Sequence, residues 1–328
     1  MQSATVQTHA NISLIKYWGK RDEQLFLPTK NSLCIALSEL TTTTTIAYAP
    51  GTEDTVSFNW QAAPEISRTN IIAFMNFFRQ RYGVQRHFAL QTHNNFATAA
   101  GLASSSSGFA ALAMALSSLC KLDLPRNEIS ILARHGSGSA CRSVVGGFMV
   151  WHKGEKTDGT DSYAEQIFPE THWPEFRILV VVIRNDAKNV SSRKGMTITT
   201  NTSPSYQSWL EKSEVRYRTI IGAIKNKKFD EVGTIAEADW KDMEQTMLDS
   251  SPILDYWTSA SRAVMKEVQS LRLAGIPCYF TTEAGPNIKI ICLDDVAEKI
   301  KTQLLTMSGV LDVITCKVAG EPVVSVGE

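Results

Sequence analysis

FATAAGLASSSSG, at residues 96–108, consists almost entirely of small residues and joins a predicted strand at 86–94 to a predicted apolar helix at 109–120. Gly101 would let the backbone approach a ligand closely. The serines at 104–107 stand where free N–H groups and the positive end of a helix dipole would attract an anion. The stretch lacks the lysine of a GxxxxGKS/T phosphate loop. It therefore predicts either an anion-binding turn or a serine-rich capping turn packed on a sheet.

The patterns on either side of this stretch change in character along the chain. Thr- and Ile-rich sequence at 31–49 and the alternating VSFNW at 56–60 predict strands in the first third. Further strands are predicted at 144–152, 177–183, 278–282, 287–292 and, last in the chain, 309–317. Long helices are predicted at 204–226, 229–248 and 259–274. This order predicts an α+β enzyme with a strand-rich N-terminal lobe, a helix-rich C-terminal lobe and a cleft between them.

The composition excludes several classes of function. The 328 residues carry 33 Lys and Arg against 33 Asp and Glu, so the net charge is zero, which argues against a protein that coats nucleic acid or an anionic membrane. The longest apolar runs, at 109–116 and 178–183, are too short to span a bilayer, and the first twenty residues lack a signal-peptide pattern. The six cysteines form no CxxC pair, which predicts reduced thiols and a cytoplasmic protein.

Two further stretches offer donors for an anion. In GSGSACRS, at 136–143, alternating glycines and serines present amides and hydroxyls, and Arg142 offers a planar fork for a carboxylate or phosphate. The alternative is a flexible loop with a surface arginine. In NISLIKYWGKRD, at 11–22, Tyr17 and Lys20 could donate to an anionic substrate. The alternative for this stretch is a strand end with a lysine whose stem covers apolar surface.

Two stretches in the second half place charges at the ends of predicted elements. KNVSSRKGM, at 188–196, opens a helix with two serines and three basic residues, which suits a phosphoryl group as well as an ordinary capped helix start. TTEAGPN, at 281–287, follows a strand, so Glu283 is either a surface-turn residue or a carboxylate aimed into the cleft as a base or charge organiser. The six histidines share no metal-ligand spacing, so no metal ligands are assigned.

Five stretches follow one another in the order found in the diphosphomevalonate decarboxylase family of the GHMP kinase superfamily, which this chain resembles from about residue 8 to about residue 290. They are NISLIKYWGKRD, FATAAGLASSSSG, ARHGSGSACRSVVGGF, KNVSSRKGM and YFTTEAGPN. The resemblance implies a GHMP kinase-like fold of two lobes with a mixed sheet, divided into domains at 1–186 and 187–328. It also implies a homodimer.

The activity implied by the resemblance is that of an ATP- and Mg²⁺-dependent carboxy-lyase of the mevalonate pathway to isoprenoids. The 3-hydroxyl of mevalonate 5-diphosphate is phosphorylated, and phosphate and CO₂ then leave to give isopentenyl diphosphate. The residues implied by position in the motifs are Gly101, Ser104, Ser105 and Ser106 for the ATP phosphates, Tyr17, Lys20, Ser137, Lys188, Ser192 and Arg193 for the substrate diphosphate, and Asn11, Arg142 and Glu283 for the carboxylate and reacting end.

The chain departs from the family pattern at positions close to these residues. Glu283 stands where the family has its catalytic aspartate, and the extra methylene would move the carboxylate by roughly 1.5 Å on an unchanged backbone. The other departures are Lys30-Asn31 for an Asn-Ser pair, Ala97 for proline, and Asp239 and Glu244 for asparagine and histidine. They keep open three alternatives: a phosphomevalonate decarboxylase, an enzyme that only phosphorylates the 3-hydroxyl, and a non-catalytic protein that binds a diphosphate.

Overall fold

The structure, a computed structural model, describes residues 2–96, 104–183 and 190–327. In chain order the strands of these ranges are β1 (Ser3–Ile15), β2 (Lys20–Asp22), β3 (Leu27–Pro28), β4 (Ser32–Tyr48), β5 (Thr55–Phe58), β6 (Gln61–Ala62), β7 (Phe88–Asn94), β8 (Phe148–Trp151), β9 (Ala164–Phe168), β10 (Phe176–Ile183), β11 (Cys278–Thr282), β12 (Ile288–Leu293), β13 (Val310–Lys317) and β14 (Val323–Gly327). The helices are α1 (Glu65–Tyr82), α2 (Ser104–Leu119), α3 (Arg126–Gly136), α4 (Ser192–Thr202), α5 (Tyr206–Lys225), α6 (Phe229–Leu248), α7 (Ser259–Leu273) and α8 (Asp294–Leu305).

The N-terminal lobe is built on a mixed sheet, as predicted. β1 lies between β4 and β14 and is antiparallel to both, whereas β5 runs parallel to β7. β4 is long enough to pair with β8 through its first residues and with β7 through its last. The carboxyl end of β1 passes under helix α6 of the other lobe. It therefore carries residues 11–16 to the junction of the two lobes.

Helix α2 packs across β1 and β4 and forms the centre of the N-terminal core. Its inward surface is rich in alanine, which lets the helix lie close to the sheet; the buried members include Ala110, Ala111, Ala113 and Ala115. Gly136, at the end of α3, completes this packing, since a β-carbon there would lie 2.3 Å from the Phe109 ring. A 3₁₀ turn over Gly138–Cys141 then brings Arg142 beside the start of α2.

The C-terminal lobe contains an antiparallel sheet in the order β11-β12-β10-β13, covered by helices. Trp209, Trp240 and Trp257 are buried in the core between the sheet and these helices. Gly233 lets α6 lie directly on β11, because a β-carbon there would lie 2.0 Å from the Tyr279 ring. The close contact fixes the strand that leads to Glu283.

The predicted α+β class is confirmed, but some local predictions differ from the structure. The helix expected at 109–120 already begins at Ser104, so the serines form its first turn. The strand expected at 144–152 begins only at Phe148, because Gly147 adopts a φ of 71° and its N–H donates to the Ala319 carbonyl. The strand at 309–317 is not the last of the chain, since β14 follows and pairs with β1. The valines of β14 are exposed, so no alternating burial marks this strand in the sequence.

Candidate active site

A cleft of about 370 Å³ lies where the two lobes meet, at the carboxyl end of β1. Its walls come from the residues after β1, the start of α2, the turn before Arg142, the start of α4 and the residues after β11. The predicted site residues among its lining are Tyr17, Lys20, Ser104, Ser105, Ser137, Arg142, Ser192, Arg193 and Glu283. The fold thus brings together in one cavity most of the predicted residues that the structure describes.

Glu283 reaches from the end of β11 to the backbone of β1. Its Oε1 accepts a hydrogen bond from the Ser13 N–H at 3.0 Å and lies 3.4 Å from the Lys16 Nζ. The side chain is 24% exposed, so it faces the cleft rather than the core. Burial by itself would raise the pKa of Glu283, but the positive charges of Lys16 and Arg142 and the Ser13 N–H outweigh it and hold the pKa below its ordinary value. The group is therefore an ionised carboxylate at neutral pH.

Arg142 is buried and meets the same segment of β1. Its Nη1 donates to the Ser13 hydroxyl at 2.7 Å, and its guanidinium carbon lies 5.9 Å from the centre of the Tyr17 ring. Its Nε is buried and, among the described residues, has no hydrogen-bond partner. Ser13 therefore binds Glu283 through its N–H and Arg142 through its hydroxyl. A carboxylate and a guanidinium are held side by side, with donor capacity left for a ligand.

Asn11 and Ser106 occupy a buried layer beneath the cleft rather than its lining. The Asn11 Nδ2 donates to the hydroxyls of Ser106 and Ser143, each at 2.8 Å. Ser106 in turn donates to the Ser139 carbonyl at 2.7 Å. These bonds tie β1, α2 and the turn before Arg142 together. The predicted contacts of Asn11 with the reacting end and of Ser106 with ATP remain predictions.

Two cations from different lobes share one aromatic neighbour on the cleft wall. Lys20 is paired with Glu23, and its Nζ lies 5.3 Å from the centre of the Phe26 ring. Arg193 lies 5.1 Å from the centre of the same ring and donates to the Gly136 carbonyl at 3.0 Å. Phe26 therefore keeps the two positive charges on one patch of the wall.

Hydroxyl groups extend this positive patch toward Arg142. The Tyr17 hydroxyl is buried without a hydrogen-bond partner in the described ranges, and burial raises its pKa, so it stays a protonated donor. Gly138 is required beside it, because a β-carbon there would lie 2.6 Å from the phenolic oxygen. Ser137 and Ser192 line the same wall. The wall therefore combines charged and neutral donors, as an oligophosphate requires.

The start of α2 joins the main cleft to a second cavity of about 160 Å³. Ser104 and Ser105 line both, at the positive end of a sixteen-residue helix. Apolar side chains, including Phe58, Leu90 and Phe109, make up much of the smaller cavity. A polar cleft and an apolar recess thus meet at two serine hydroxyls.

Some predicted residues lie outside the described part of the chain, and one residue of the site is not predicted by the sequence. Gly101, Lys188 and the departure Ala97 lie outside the described residues. Ser13 lies within the stretch at 11–22 but was not predicted as a site residue, because its role depends on contacts with residues far away in sequence. Within the described ranges, no three His, Cys, Asp or Glu side chains cluster closely enough to hold a metal ion. None of the helices there is both long and apolar enough to cross a membrane.

A two-lobed fold that gathers a carboxylate, a buried arginine and a wall of cationic and hydroxyl donors defines an enzyme acting on phosphorylated substrates. The model of the diphosphomevalonate decarboxylase-like N-terminal domain matches residues 8–164, and that of the mevalonate 5-diphosphate decarboxylase C-terminal domain matches residues 178–326. The chain belongs to the diphosphomevalonate decarboxylase family, which confirms the resemblance drawn from its motifs.

Individual relatives agree with this assignment. The diphosphomevalonate decarboxylase of Aspergillus fumigatus is 35% identical over 325 residues, covering 93% of this chain and 80% of that protein. Human diphosphomevalonate decarboxylase is 34% identical over 315 residues, covering 90% of this chain and 78% of that protein. Mevalonate diphosphate decarboxylase from Staphylococcus aureus superposes with a TM-score of 0.93 at 36% identity, over 100% of this chain and 98% of that one. A structure described as "MDDEF in complex with MVAPP, AMPPCP and Magnesium" superposes with a TM-score of 0.92 at 37% identity, over 99% of each chain. The GHMP kinase-like fold is confirmed.

Proposed function

We propose that the chain converts mevalonate 5-diphosphate to isopentenyl diphosphate by ATP-dependent phosphorylation of the 3-hydroxyl followed by decarboxylation. The observation that carries the proposal is the convergence of Glu283 and Arg142 on Ser13 inside a cleft walled by cations and hydroxyls. This arrangement offers a carboxylate and a guanidinium to the reacting end of the substrate. It offers a separate set of donors to a diphosphate.

ATP and Mg²⁺ fit the donors at the start of α2. Ser104 and Ser105 present hydroxyls and a helix N-terminus to phosphate oxygens, and the adjoining apolar cavity suits a nucleobase. Mg²⁺ keeps several waters and binds largely through substrate phosphates, so hydroxyls beside a triphosphate meet its requirements. When bound, ATP and Mg²⁺ supply the phosphoryl group and neutralise the charge on its oxygens.

The side chains of the cleft then position the substrate and move one proton. Glu283 accepts the hydrogen bond of the 3-hydroxyl and takes its proton as that oxygen bonds to the γ-phosphorus and the bond to ADP breaks. The C3–O bond breaks next, and phosphate leaves with its electron pair. The bond to the carboxylate carbon breaks last, and its electrons form the alkene as CO₂ departs. Arg142 holds the carboxylate in place until this step.

Lys20→Met is expected to raise the KM for the diphosphate substrate about tenfold and to leave kcat within about threefold, because a charge that binds the unreactive end contributes equally to ground and transition states. Steady-state CO₂ release against substrate concentration measures both constants. Lys228→Met, which removes an exposed lysine paired with Glu231, serves as the control and should match the unmodified enzyme. An unchanged KM for Lys20→Met would show that Lys20 does not bind the diphosphate.

The domain division at 1–186 and 187–328, a homodimer and a cytoplasmic location belong to the same proposal. All six cysteines are free thiols, which supports a reducing compartment. Sedimentation equilibrium of the purified protein tests the dimer: a mass of one 36.2 kDa chain at micromolar concentration would contradict it.

A substrate panel tests the proposed function. Mevalonate, its 5-phosphate and its 5-diphosphate are each incubated with enzyme, ATP and Mg²⁺, and CO₂ and ADP are both measured. We expect kcat/KM to be at least about a hundredfold higher for the diphosphate than for the monophosphate, because the second phosphate engages Lys20 and Arg193. A preference for the monophosphate would instead favour a phosphomevalonate decarboxylase. ATP binding without turnover of any of the three would favour a non-catalytic protein.

A further inference from the structure

A chain of buried contacts leads from Glu283 to helix α6. Lys16 is fully buried, and its Nζ donates to the Ser13 carbonyl at 2.8 Å and lies 3.4 Å from the Glu283 carboxylate. The Lys16 backbone N–H donates to the Asp239 Oδ2 at 2.8 Å. Asp239 has no exposed surface. It therefore holds the backbone of the residue whose side chain contacts Glu283, without lining the cleft itself.

Asp239 is a buried carboxylate, and its hydrogen bond with the Lys16 backbone N–H brings no positive charge to it. Its Oδ1 has no hydrogen-bond partner among the described residues and lies 3.7 Å from the Arg216 Nη1. Arg216 also donates to Asp242 at 2.7 Å, so its charge is shared. A buried carboxylate needs further positive charge nearby, because an unpaired buried ion is strongly destabilising.

Lys30 supplies such a charge. It is 5% exposed, and its Nζ lies 4.8 Å from the centre of the Trp209 ring and donates to the Asn31 carbonyl at 3.3 Å. Burial lowers the pKa of Lys30 to about 8, and the Asp239 carboxylate is the largest influence that opposes this fall. Lys30 is thus still a cation at pH 7, and Asp239 favours that state.

Resting on the proposed function, we propose that Asp239 and Lys30 are a compensating pair of buried charges whose role is to position Lys16, and through it the Glu283 carboxylate. Asp239 is then a positioning residue, since neither it nor Lys30 lines the cleft. Lys30, Asp239 and Glu283 are three of the positions at which this chain departs from the family pattern. Lys16 contacts two of them directly: its backbone N–H donates to Asp239 and its Nζ lies beside the Glu283 carboxylate.

If the two buried charges compensate each other, each single neutral substitution should lower kcat more than the two substitutions made together. Lys30→Asn leaves Asp239 with only the shared charge of Arg216, and Asp239→Asn leaves the buried Lys30 cation without this carboxylate. Each change is expected to let Lys16 shift and to lower kcat about a hundredfold, with the KM for ATP within about twofold. The double variant, with two neutral amides, is expected to recover kcat to within about tenfold of the unmodified enzyme. Asp242→Asn removes the other carboxylate that Arg216 contacts and should stay within about threefold.

The measurement is steady-state CO₂ release with mevalonate 5-diphosphate, together with thermal melting of every variant. An unchanged kcat for Asp239→Asn, or a double variant whose loss is the product of the single losses, would overturn the proposal. A raised KM with unchanged kcat would also overturn it, since Asp239 would then act on binding. If Asp239→Asn does not fold, recovery of folding in the double variant supports the pair, and its failure to recover contradicts it. No CO₂ from the unmodified enzyme would contradict the proposed function alone. The pair would then be tested by melting temperature: it predicts that the double variant melts closer to the unmodified protein than either single variant does.

Discussion

Glu283→Gln is expected to lower kcat for CO₂ release by about a thousandfold while nucleotide binding is retained. The amide keeps the size of the side chain but cannot take a proton from the 3-hydroxyl. It also removes the negative charge that the Ser13 N–H and Lys16 stabilise in the cleft. Steady-state CO₂ release gives kcat, and displacement of a fluorescent ATP analogue shows that the site is still formed. Turnover within about tenfold of the unmodified enzyme would mean that this carboxylate is not the base.

Glu283→Asp is the matched control, because it keeps the charge and changes only the reach. The shorter side chain withdraws the carboxylate by roughly 1.5 Å, away from the Ser13 N–H to which Glu283 now bonds at 3.0 Å. A rate about tenfold to a hundredfold lower is expected, between those of the unmodified enzyme and Glu283→Gln. A faster enzyme would show instead that the longer glutamate is a handicap in this cleft.

The second large effect is expected at the buried arginine. Arg142→Gln should lower kcat/KM for mevalonate 5-diphosphate by about a thousandfold, because it removes the desolvated guanidinium that we propose binds the reacting carboxylate, together with its hydrogen bond to the Ser13 hydroxyl. Arg142→Lys keeps the charge without the planar fork and should recover only part of the loss. Initial rates at low substrate concentration measure kcat/KM directly.

Arg218→Gln provides the control for this effect. Arg218 has a side chain 78% exposed and pairs with Glu214 on the surface of α5, so its loss should change kcat/KM by less than about twofold. Thermal melting identifies any Arg142 variant that has lost its fold. A folded Arg142→Gln variant with nearly full kcat/KM would contradict the role assigned to the guanidinium.

Local patterns in the sequence predict the lobes and the residues that line the cleft. Alternating and β-branched runs predict β4, β5 and β10, and the 3.6-residue period predicts α5 to α7. Arg142 and Glu283 stand out because each is a charge among small residues next to the end of an element. Both line the cleft in the structure. Position within a motif is therefore enough to nominate such residues.

The buried layer beneath the cleft depends on contacts that no local pattern contains. Ser13 and Glu283 are 270 positions apart, and Lys16 and Asp239 are 223 apart. Asn11 looks like a substrate contact in its motif, yet its amide bonds to Ser106 and Ser143. A lysine within an apolar run indicates a buried charge, but its partner follows only from the packing of α6 on β1 and β11.

The ratio of CO₂ released to ADP formed tests the central claim most directly. Purified enzyme is given mevalonate 5-diphosphate, ATP and Mg²⁺, and both products are measured in the same sample over the first turnovers and at steady state. The proposed mechanism predicts equal amounts of CO₂ and ADP, because in it Arg142 holds the carboxylate and Glu283 the hydroxyl of the same substrate molecule. ADP formed without CO₂ would show an enzyme that stops at phosphorylation of the 3-hydroxyl, and would contradict the assignment as a decarboxylase.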